Sequence, residues 1–480
     1  MIRRVLPGLM LAVLCGAADH KFSVLIVDGM NNHDWAAGTR AIQSILEGTG
    51  RFTVEVCTWP KRPEFRGHDV VINNFNGGHT ADGTRWPREL EQALVAYVRG
   101  GGGLVIFHAA NNAFLEWPEY NDVIGLGWRE KSFGPGIAVG PGGTLVTVPK
   151  GSGLNPGHGP RHDFEIFVRE PEHPITRGLP AHWLHPSEQL THGQHGPAQG
   201  LTVLTYAFSE VSRQGEPMDW VRSYGSGRVY TTMLGHTWKD ELNPNLDDLN
   251  FQALFARGTE WAATGTVTLP PDLGWRPLFN GKDLDGWEPR GDCTWSVQPG
   301  GILFGTRTAG AKVPPNADEF KGWQGLQAWL YTKAEFDQFD LHVEYWLPPH
   351  GNSGVSIRDR SRAHGAIDEP DSARPDLAGF PKTTPAHIGY ELQLLDYDDT
   401  NSTGSIYGLV PARTGLHRPG QWNSIDIESR TGRIRVRVNG ELAAQGPGDP
   451  ERPKTGPIGL QLHDRFTTVM FRNLRIREWR

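Results

Sequence analysis

The chain is predicted to fold as two domains, an α/β domain built on a parallel sheet followed by an all-β sandwich. Three observations carry this prediction. The 480 residues exceed what a single core ordinarily organises. Up to about residue 263, short apolar runs alternate with amphipathic helical stretches, the pattern of parallel strands covered by helices on both faces. Beyond a Gly- and Pro-bearing stretch at 264–274 the helical period disappears, and short alternating runs separated by Gly, Pro, Asn and Asp take over, as in an antiparallel sandwich.

In order along the chain, the first strand is FSVLIVDG, beginning at Phe22, and an amphipathic helix runs through Thr39 to Leu46. TVEVCTW and DVVINNF read as the next strands, followed by a helix over Glu89–Val98 and the buried strand GLVIFHAA, which begins at Gly103. GRVYTTMLGH is a late strand and Leu249–Ala262 a closing helix. The division is therefore a leader at 1–18, an α/β domain at 19–263, a linker at 264–274 and a sandwich at 275–480. The leader has Arg3 and Arg4, an apolar run from Val5 to Leu14 and small residues before Asp19, which reads as a signal peptide cleaved after Ala18. A secreted or periplasmic protein is expected. A lipid anchor on Cys15 ranks second, because Leu14 stands where a small residue is needed.

Composition narrows the function classes. A hydrophobic content of 38% with 60 Gly and 36 Pro describes a loop-rich globular protein rather than a disordered one. The formal net charge of -7 and the dispersed arginines argue against a nucleic-acid partner. No run after the leader is long and apolar enough to span a bilayer. Cys57 and Cys293 fall in different domains, which leaves no thiolate metal site and speaks against a structural disulfide.

Polar groups are written into several strands of the second domain. In GYELQLLD, at 389–396, Tyr390, Leu392 and Leu394 point one way while Glu391 and Gln393 point the other. LHVEYW sets His342 and Glu344 against Leu341 and Val343, GVSIR sets Arg358 against Val355 and Ile357, and GLQLH sets Gln461 and His463 against Leu460 and Leu462. If these strands are neighbours, one face of the sheet is ionisable, as at a sugar site. The plainer alternative for any one strand is a solvated outer face.

The motifs LFNGKDLDGW (278–287), NSGVSIR (352–358), GYELQLLD, GSIYGLVPA (404–412), PGQWNSIDI (419–427) and GPIGLQLHDRFTTVMFRNLRIR (456–477) together resemble the 3-keto-disaccharide hydrolase domain family. The resemblance implies a concanavalin-like jelly roll that cleaves glycosides whose sugar is oxidised at C3. A ketone there acidifies the C2 proton, and the enolate formed by its removal expels the C1 substituent, so a base, an electrophile and a proton donor are needed. Glu391 is the candidate base, with His463 as base or acid and Arg358 as the cation for the enolate. Gln393, Asn352 and Tyr407 are candidates to hold hydroxyls, Trp422 to offer a flat face to the ring, and Glu344 is a further substrate-binding candidate. Glu344, Glu391, Asp396 and His463 form an alternative set for a divalent cation that would polarise the ketone directly. A simple cross-strand ion pair between Glu391 and Arg358 is a further alternative.

The first domain carries NNHDW (31–35), GGGLVIFHAANNAF (101–114), GWR (127–129), HDFEIFVREPEHPITRGLP (162–180) and YGSGRVYTTMLGHTW (224–238). These resemble the ThuA-like, trehalose-utilisation family, which implies a class I glutamine-amidotransferase-like fold with a flavodoxin-like parallel sheet. Where the amidotransferases place a nucleophilic cysteine, this chain has His108 followed by Ala109 and Ala110, so acyl transfer through a thiol is not expected. His33 with Asp34, His108, His162, Glu188 and His236 are the candidate site residues, because ligands of open α/β sheets bind at the carboxyl ends of strands. His33, His108 and His236 can serve a zinc-like ion or acid/base catalysis. His182, His185, His192 and His195 are expected to face solvent in a mobile loop.

The expected function is a secreted carbohydrate enzyme that cleaves 3-keto-glycosides by elimination and hydration, with the ThuA-like domain acting on a related keto-sugar. The alternative is a ThuA-like catalytic domain carried by a non-catalytic carbohydrate-binding sandwich. No GxGxxG fingerprint follows the first strand, so a separate sugar 3-oxidoreductase must supply the substrate.

Overall fold

The computed structural model describes residues 21–77, 85–239, 241, 243–307, 328–367, 384–395, 400–463 and 467–479. The leader at 1–18 and Asp396 lie outside the described residues. The chain divides into two compact units, one holding residues up to Lys239 with Leu254–Leu269, the other Asp240–Ala253 with residues from Pro270 onward.

In the first unit, β1 (Phe22–Asp28), β2 (Phe52–Thr58), β3 (Val70–Asn73) and β4 (Gly103–Phe107) alternate with α1 (Trp35–Glu47) and α2 (Arg88–Arg99). Asp34 caps α1, its carboxylate accepting the Ala37 N–H at 3.0 Å, while Ile42, Ile45 and Leu46 turn inward. After α3 (Pro118–Ile124) come β5 (Gly136–Val139), β6 (Leu145–Val148), β7 (Gly157–His158), β8 (His162–Val168), β9 (His182–Glu188), β10 (Thr191–His192), β11 (Thr202–Ser209), β12 (Gln214–Tyr224) and β13 (Gly227–Thr232), then α4 (Leu249–Thr264), which belongs to this unit from Leu254 onward. The main sheet runs β2-β1-β3-β4-β13-β12-β11-β8-β9. Only its first five strands are parallel. From β13 onward pairing is antiparallel, which corrects the expectation of an all-parallel sheet. The reason is local: no crossover helix separates β8, β9, β11, β12 and β13 in sequence, and strands joined without one can pair only as antiparallel neighbours.

The histidines of 182–195 are likewise not a solvent-facing loop. They occupy β9, β10 and the turn after it, and His185, His192 and His195 are buried, leaving His182 exposed. Pairing explains the difference, since β9 lies against β8 and β10 against β7.

The second unit contains β14 (Arg276–Pro277), β15 (Trp287–Arg290), β16 (Thr294–Gln298), β17 (Ile302–Thr306), β18 (Ala328–Thr332), β19 (Phe339–Trp346), β20 (Asn352–Ile357), β21 (Tyr390–Leu395), β22 (Trp422–Arg430), β23 (Arg433–Val438), β24 (Glu441–Pro447), β25 (Ile458–Leu462) and β26 (Val469–Glu478). One sheet has the order β16-β17-β26-β19-β22-β23-β24, with β14 beside β26, and the other β15-β18-β25-β20-β21. Alternate residues of both, including Leu330, Tyr345, Val355, Leu392, Ile425, Leu460 and Phe471, share one core. The expected neighbours β20, β21 and β25 do adjoin, whereas the strand carrying His342 and Glu344, β19, belongs to the opposite sheet.

A glycine fixes the turn that follows β13. Gly235 has φ +103°, and a Cβ there would lie 2.4 Å from the Phe107 ring. Gly200 also has a positive φ, +65°, but its Cβ would meet open space. Gly235→Ala is expected to lower the stability of the first unit by about 1–3 kcal/mol in urea denaturation, with Gly200→Ala costing less because only backbone strain applies.

Candidate functional site

Three of the predicted histidines converge at the carboxyl edge of the parallel strands. His108 directly follows β4, His33 lies in the loop after β1, and His236 follows β13; these strands sit in the order β1-β3-β4-β13. All three are buried, with one ring nitrogen of each lying within 4.8 Å of the others. Their ring centroids are 4.9, 5.0 and 5.3 Å apart, with interplanar angles of 85–88°. The rings therefore meet edge to face around a common point instead of stacking. His108 holds its place with φ +43°, a left-handed conformation that is uncommon for a non-glycine residue.

The surroundings set the tautomers. His108 Nδ1 donates to the Met233 carbonyl at 2.6 Å. His33 Nδ1 lies 3.2 Å from Asn31 Oδ1 and 3.1 Å from Asn32 Oδ1, and Asn76 Nδ2 in turn donates to Asn32 Oδ1 at 2.5 Å. A proton on Nδ1 of each ring leaves Nε2 with its lone pair. Burial and the neighbouring imidazoles drive His33 down to about 2 and His236 to about 3, and burial lowers His108 as well. Glu188, at the end of β9, accepts N–H groups of Gly235 at 2.6 Å, His236 at 3.2 Å and Gln189 at 2.8 Å, with His185 Nε2 at 3.5 Å. Burial would raise its pKa, but the His185 hydrogen bond and the field of His108 and His185 outweigh it, and the carboxyl titrates below its ordinary value.

Two predicted members do not join. His162 is exposed at the start of β8, its Nδ1 bonded to the Pro160 carbonyl. Asp34 is spent on the cap of α1. Sequence reasoning missed Asn31 and Asn32 as site residues, although both stand within two residues of His33, because their role is to hold an imidazole rather than to contact a ligand. It also missed Arg161 and Trp238. Trp238 is 43% exposed and stacks on His236 with centroids 6.0 Å apart. Arg161 and His158 lie within electrostatic range of the cluster.

In the sandwich, two rows of side chains cross the smaller sheet. Register places Tyr331 opposite Gly459, Gly459 opposite Ser356 and Ser356 opposite Glu391. One step along, Trp329 is opposite Gln461 and Gly354 opposite Gln393. The glycines make room: a Cβ at Gly459 would sit 2.4 Å from the Tyr331 ring, and one at Gly354 would sit 2.6 Å from Glu391 Oε1. Glu391 lies over Gly354 and forms a side-chain hydrogen bond with Gln461. Burial pushes the Glu391 carboxyl up to about 8; Gln461 opposes the rise and the charge of Asp359 adds to it. Gln393 Nε2 donates to Asn352 Oδ1 at 3.2 Å. Gln393 Oε1 and Gln461 Oε1 are buried without a partner among the described residues. Tyr331 donates to Asp359 at 2.8 Å, and Ala363 and Ile367 pack on Trp329 and Tyr331.

The remaining predicted residues scatter. Arg358 has φ +62° and its guanidinium reaches the carbonyls of Asp337 and Arg430, so it leaves the Glu391 face and forms no cross-strand pair there. Its bulky group sits at the strand end, where strict alternation stops applying. Glu344 lies on β19 in the other sheet, bound by Arg472 at 2.6 Å and Asn473 at 2.9 Å. Trp422 is on β22 of that same sheet, with the Arg472 guanidinium 4.0 Å from its ring centre. His342, also there, bonds Asp426 at 2.7 Å. The carboxylate set Glu344, Glu391 and His463 is thus divided between sheets. His463 follows β25 half-buried, and its carbonyl accepts from Arg307. Tyr407 is placed beside Glu391 by its N–H, which donates to the Glu391 carbonyl at 2.9 Å. Trp329, Tyr331 and Asp359 were not anticipated, although AWLYT alternates like the strands that were.

Comparison with known proteins places both halves. The profile described as Trehalose utilisation, ThuA, matches residues 23–262, and that of the 3-keto-alpha-glucoside-1,2-lyase-like domain matches 274–477. No curated protein matches the chain. Among solved structures, a putative ThuA-like protein of Parabacteroides merdae is 32% identical over 54% of this chain and 94% of its own, with a TM-score of 0.48. A putative glycosyl hydrolase of Parabacteroides distasonis is 21% identical over 43% and 99%, with a TM-score of 0.30. The carbohydrate binding module CBM66 of Bacillus subtilis is 12% identical over 40% and 96%, with a TM-score of 0.28. Among the described residues no helix is long and apolar enough to cross a membrane. The domain families are those of carbohydrate-related enzymes or binding proteins. With half its length matched by one profile and most of the rest by the other, the chain belongs to the ThuA family and carries a C-terminal 3-keto-alpha-glucoside-1,2-lyase-like domain.

Proposed function

We propose that this protein is an exported carbohydrate-active enzyme whose sandwich cleaves 3-keto-glycosides by removal of the C2 proton and elimination of the C1 substituent, followed by hydration. The ThuA-like domain acts on a related keto-sugar, and tethering the two raises the effective concentration of a shared intermediate. A separate sugar 3-oxidoreductase supplies the ketone. The observation that carries this reading is Glu391, a carboxyl held in a buried, amide-lined face with its pKa moved to about 8. A carbon acid beside a ketone calls for a base stronger than an ordinary carboxylate, and desolvation is the means by which a fold makes one. The unpartnered oxygens of Gln393 and Gln461 are suited to accept sugar hydroxyls, and His463 at the strand end is the candidate proton donor to the leaving oxygen.

The second reading, a binding module in service of the ThuA-like domain, draws on the position of Arg358. With that guanidinium turned to backbone carbonyls, Arg358 supplies no cation to the face, which among the described residues offers amides and aromatics. Activity separates the two. On a 3-keto-glucoside with a chromogenic leaving group, Glu391→Gln is expected to reduce kcat/KM at least about 100-fold while sugar binding persists. The wild-type kcat/KM should rise with pH through neutrality, pass its half-maximum near 8 and level off about one unit higher, as the carboxylate form fills. A folded Glu391→Gln chain with full activity would remove Glu391 from the chemistry.

Stability gives an independent check on the same group. The folded state holds the Glu391 proton more tightly than the unfolded chain, where the carboxyl titrates near 4.5. The associated stabilisation is present below that value and is lost as the pH rises to about 8. Relative to Glu391→Gln, the wild type should lose stability across this window by at most about 1.4 kcal/mol per pH unit in denaturant titrations.

A further inference from the structure

The trihistidine cluster of the first unit has more structure around it than acid/base chemistry requires. A single proton carrier needs one imidazole, whereas here three rings from three strand ends are turned edge to face about one point. Two of them are fixed through Nδ1 by oxygen acceptors, a backbone carbonyl for His108 and two asparagine amides for His33. This is the arrangement by which a metal-binding histidine has its tautomer and orientation set from behind, with Nε2 left for the ion. Glu188, buried and accepting three backbone N–H groups, adds a negative charge behind His236 that a cation in front would offset. The nitrogens lie within 4.8 Å of one another, whereas tetrahedral bonds of roughly 2.0–2.1 Å set them roughly 3.3 Å apart, so binding an ion draws the three rings together.

We infer that His33, His108 and His236 bind a divalent transition-metal ion of the zinc class, and that its open positions take adjacent oxygens of a hydroxy-ketone sugar. Three protein ligands leave coordination positions unfilled, as at catalytic rather than structural sites. The ligand class follows from what borders those positions. Trp238 presents a half-exposed ring that touches both His33 and His236, a flat surface of the kind a pyranose face uses. Arg161 lies within electrostatic range and favours negative charge developing on a bound sugar oxygen. The ion itself stands on the cluster alone; the sugar class rests on the keto-sugar reading of the ThuA-like domain given above.

The test uses the full chain, freed of metal and then titrated with Zn2+ and with Co2+. One equivalent is expected to bind, with a visible cobalt spectrum of low coordination number, and Cys57→Ser/Cys293→Ser should leave both unchanged. His108→Ala and His236→Ala should abolish the bound equivalent while retaining the far-ultraviolet dichroism of the wild type, and Glu188→Gln should weaken affinity about 10–100-fold. Unchanged binding in the folded histidine variants, or none in the wild type, overturns the site. Addition of 3-keto-glucose to the cobalt-loaded chain should shift the spectrum, glucose should not, and Arg161→Ala should weaken the shift. An absent shift overturns the sugar class while the metal titration still stands. The shift should persist in Glu391→Gln, so it is read separately from cleavage by the sandwich.

Discussion

Parallel pairing of four adjacent strands is the constraint on which the first unit depends. β1, β3, β4 and β13 all run the same way, so the chain must leave every one of them at the same edge. Residues far apart in sequence, at 33, 108 and 236, are thereby delivered to one place without any local motif. The segment that follows β3 contributes asparagines: Asn74 accepts from Asn31, and Asn76 donates to Asn32. The His33 imidazole thus rests on a layer of amides, while His108 rests on the Met233 carbonyl.

The antiparallel extension of the same sheet supplies the remaining charge. β9 ends at Glu188, which clamps the N–H groups of the Gly235–His236 turn and so fixes the third histidine through its backbone. Gly235 is required because the turn passes against the Phe107 ring. Backbone geometry and a buried carboxylate, rather than side-chain packing alone, determine where His236 lies.

In the sandwich, the governing effect is desolvation. Glu391 is an ordinary glutamate in sequence, and its chemistry comes from being buried across Gly354 on the sheet face, with an amide partner in place of a cation. A nearby arginine would have pulled its pKa down. Arg358 does not, since the left-handed backbone at the end of β20 sends its guanidinium to carbonyl oxygens. Burial therefore raises the carboxyl without an Arg358 pair to offset it.

Alternation of residue types was sufficient to reveal two domains, the strand that precedes His108, and the inward and outward faces of β20, β21 and β25. Each follows from a local period of the chain. The histidines at strand ends were legible for the same reason, since the apolar run before each of them marks where a strand stops. What the chain does not carry locally is the partner of each strand. LHVEYW has the same alternation as YELQLL, yet β19 pairs in the opposite sheet, and so Glu344 and Trp422 are removed from the Glu391 face. The same holds for the buried histidines of 185–195, which pairing converts from apparent loop to strand and turn. Periodicity determined which side chains turn together; only tertiary pairing decided which faces meet, because hydrogen bonding between strands is set by neighbours distant in the chain.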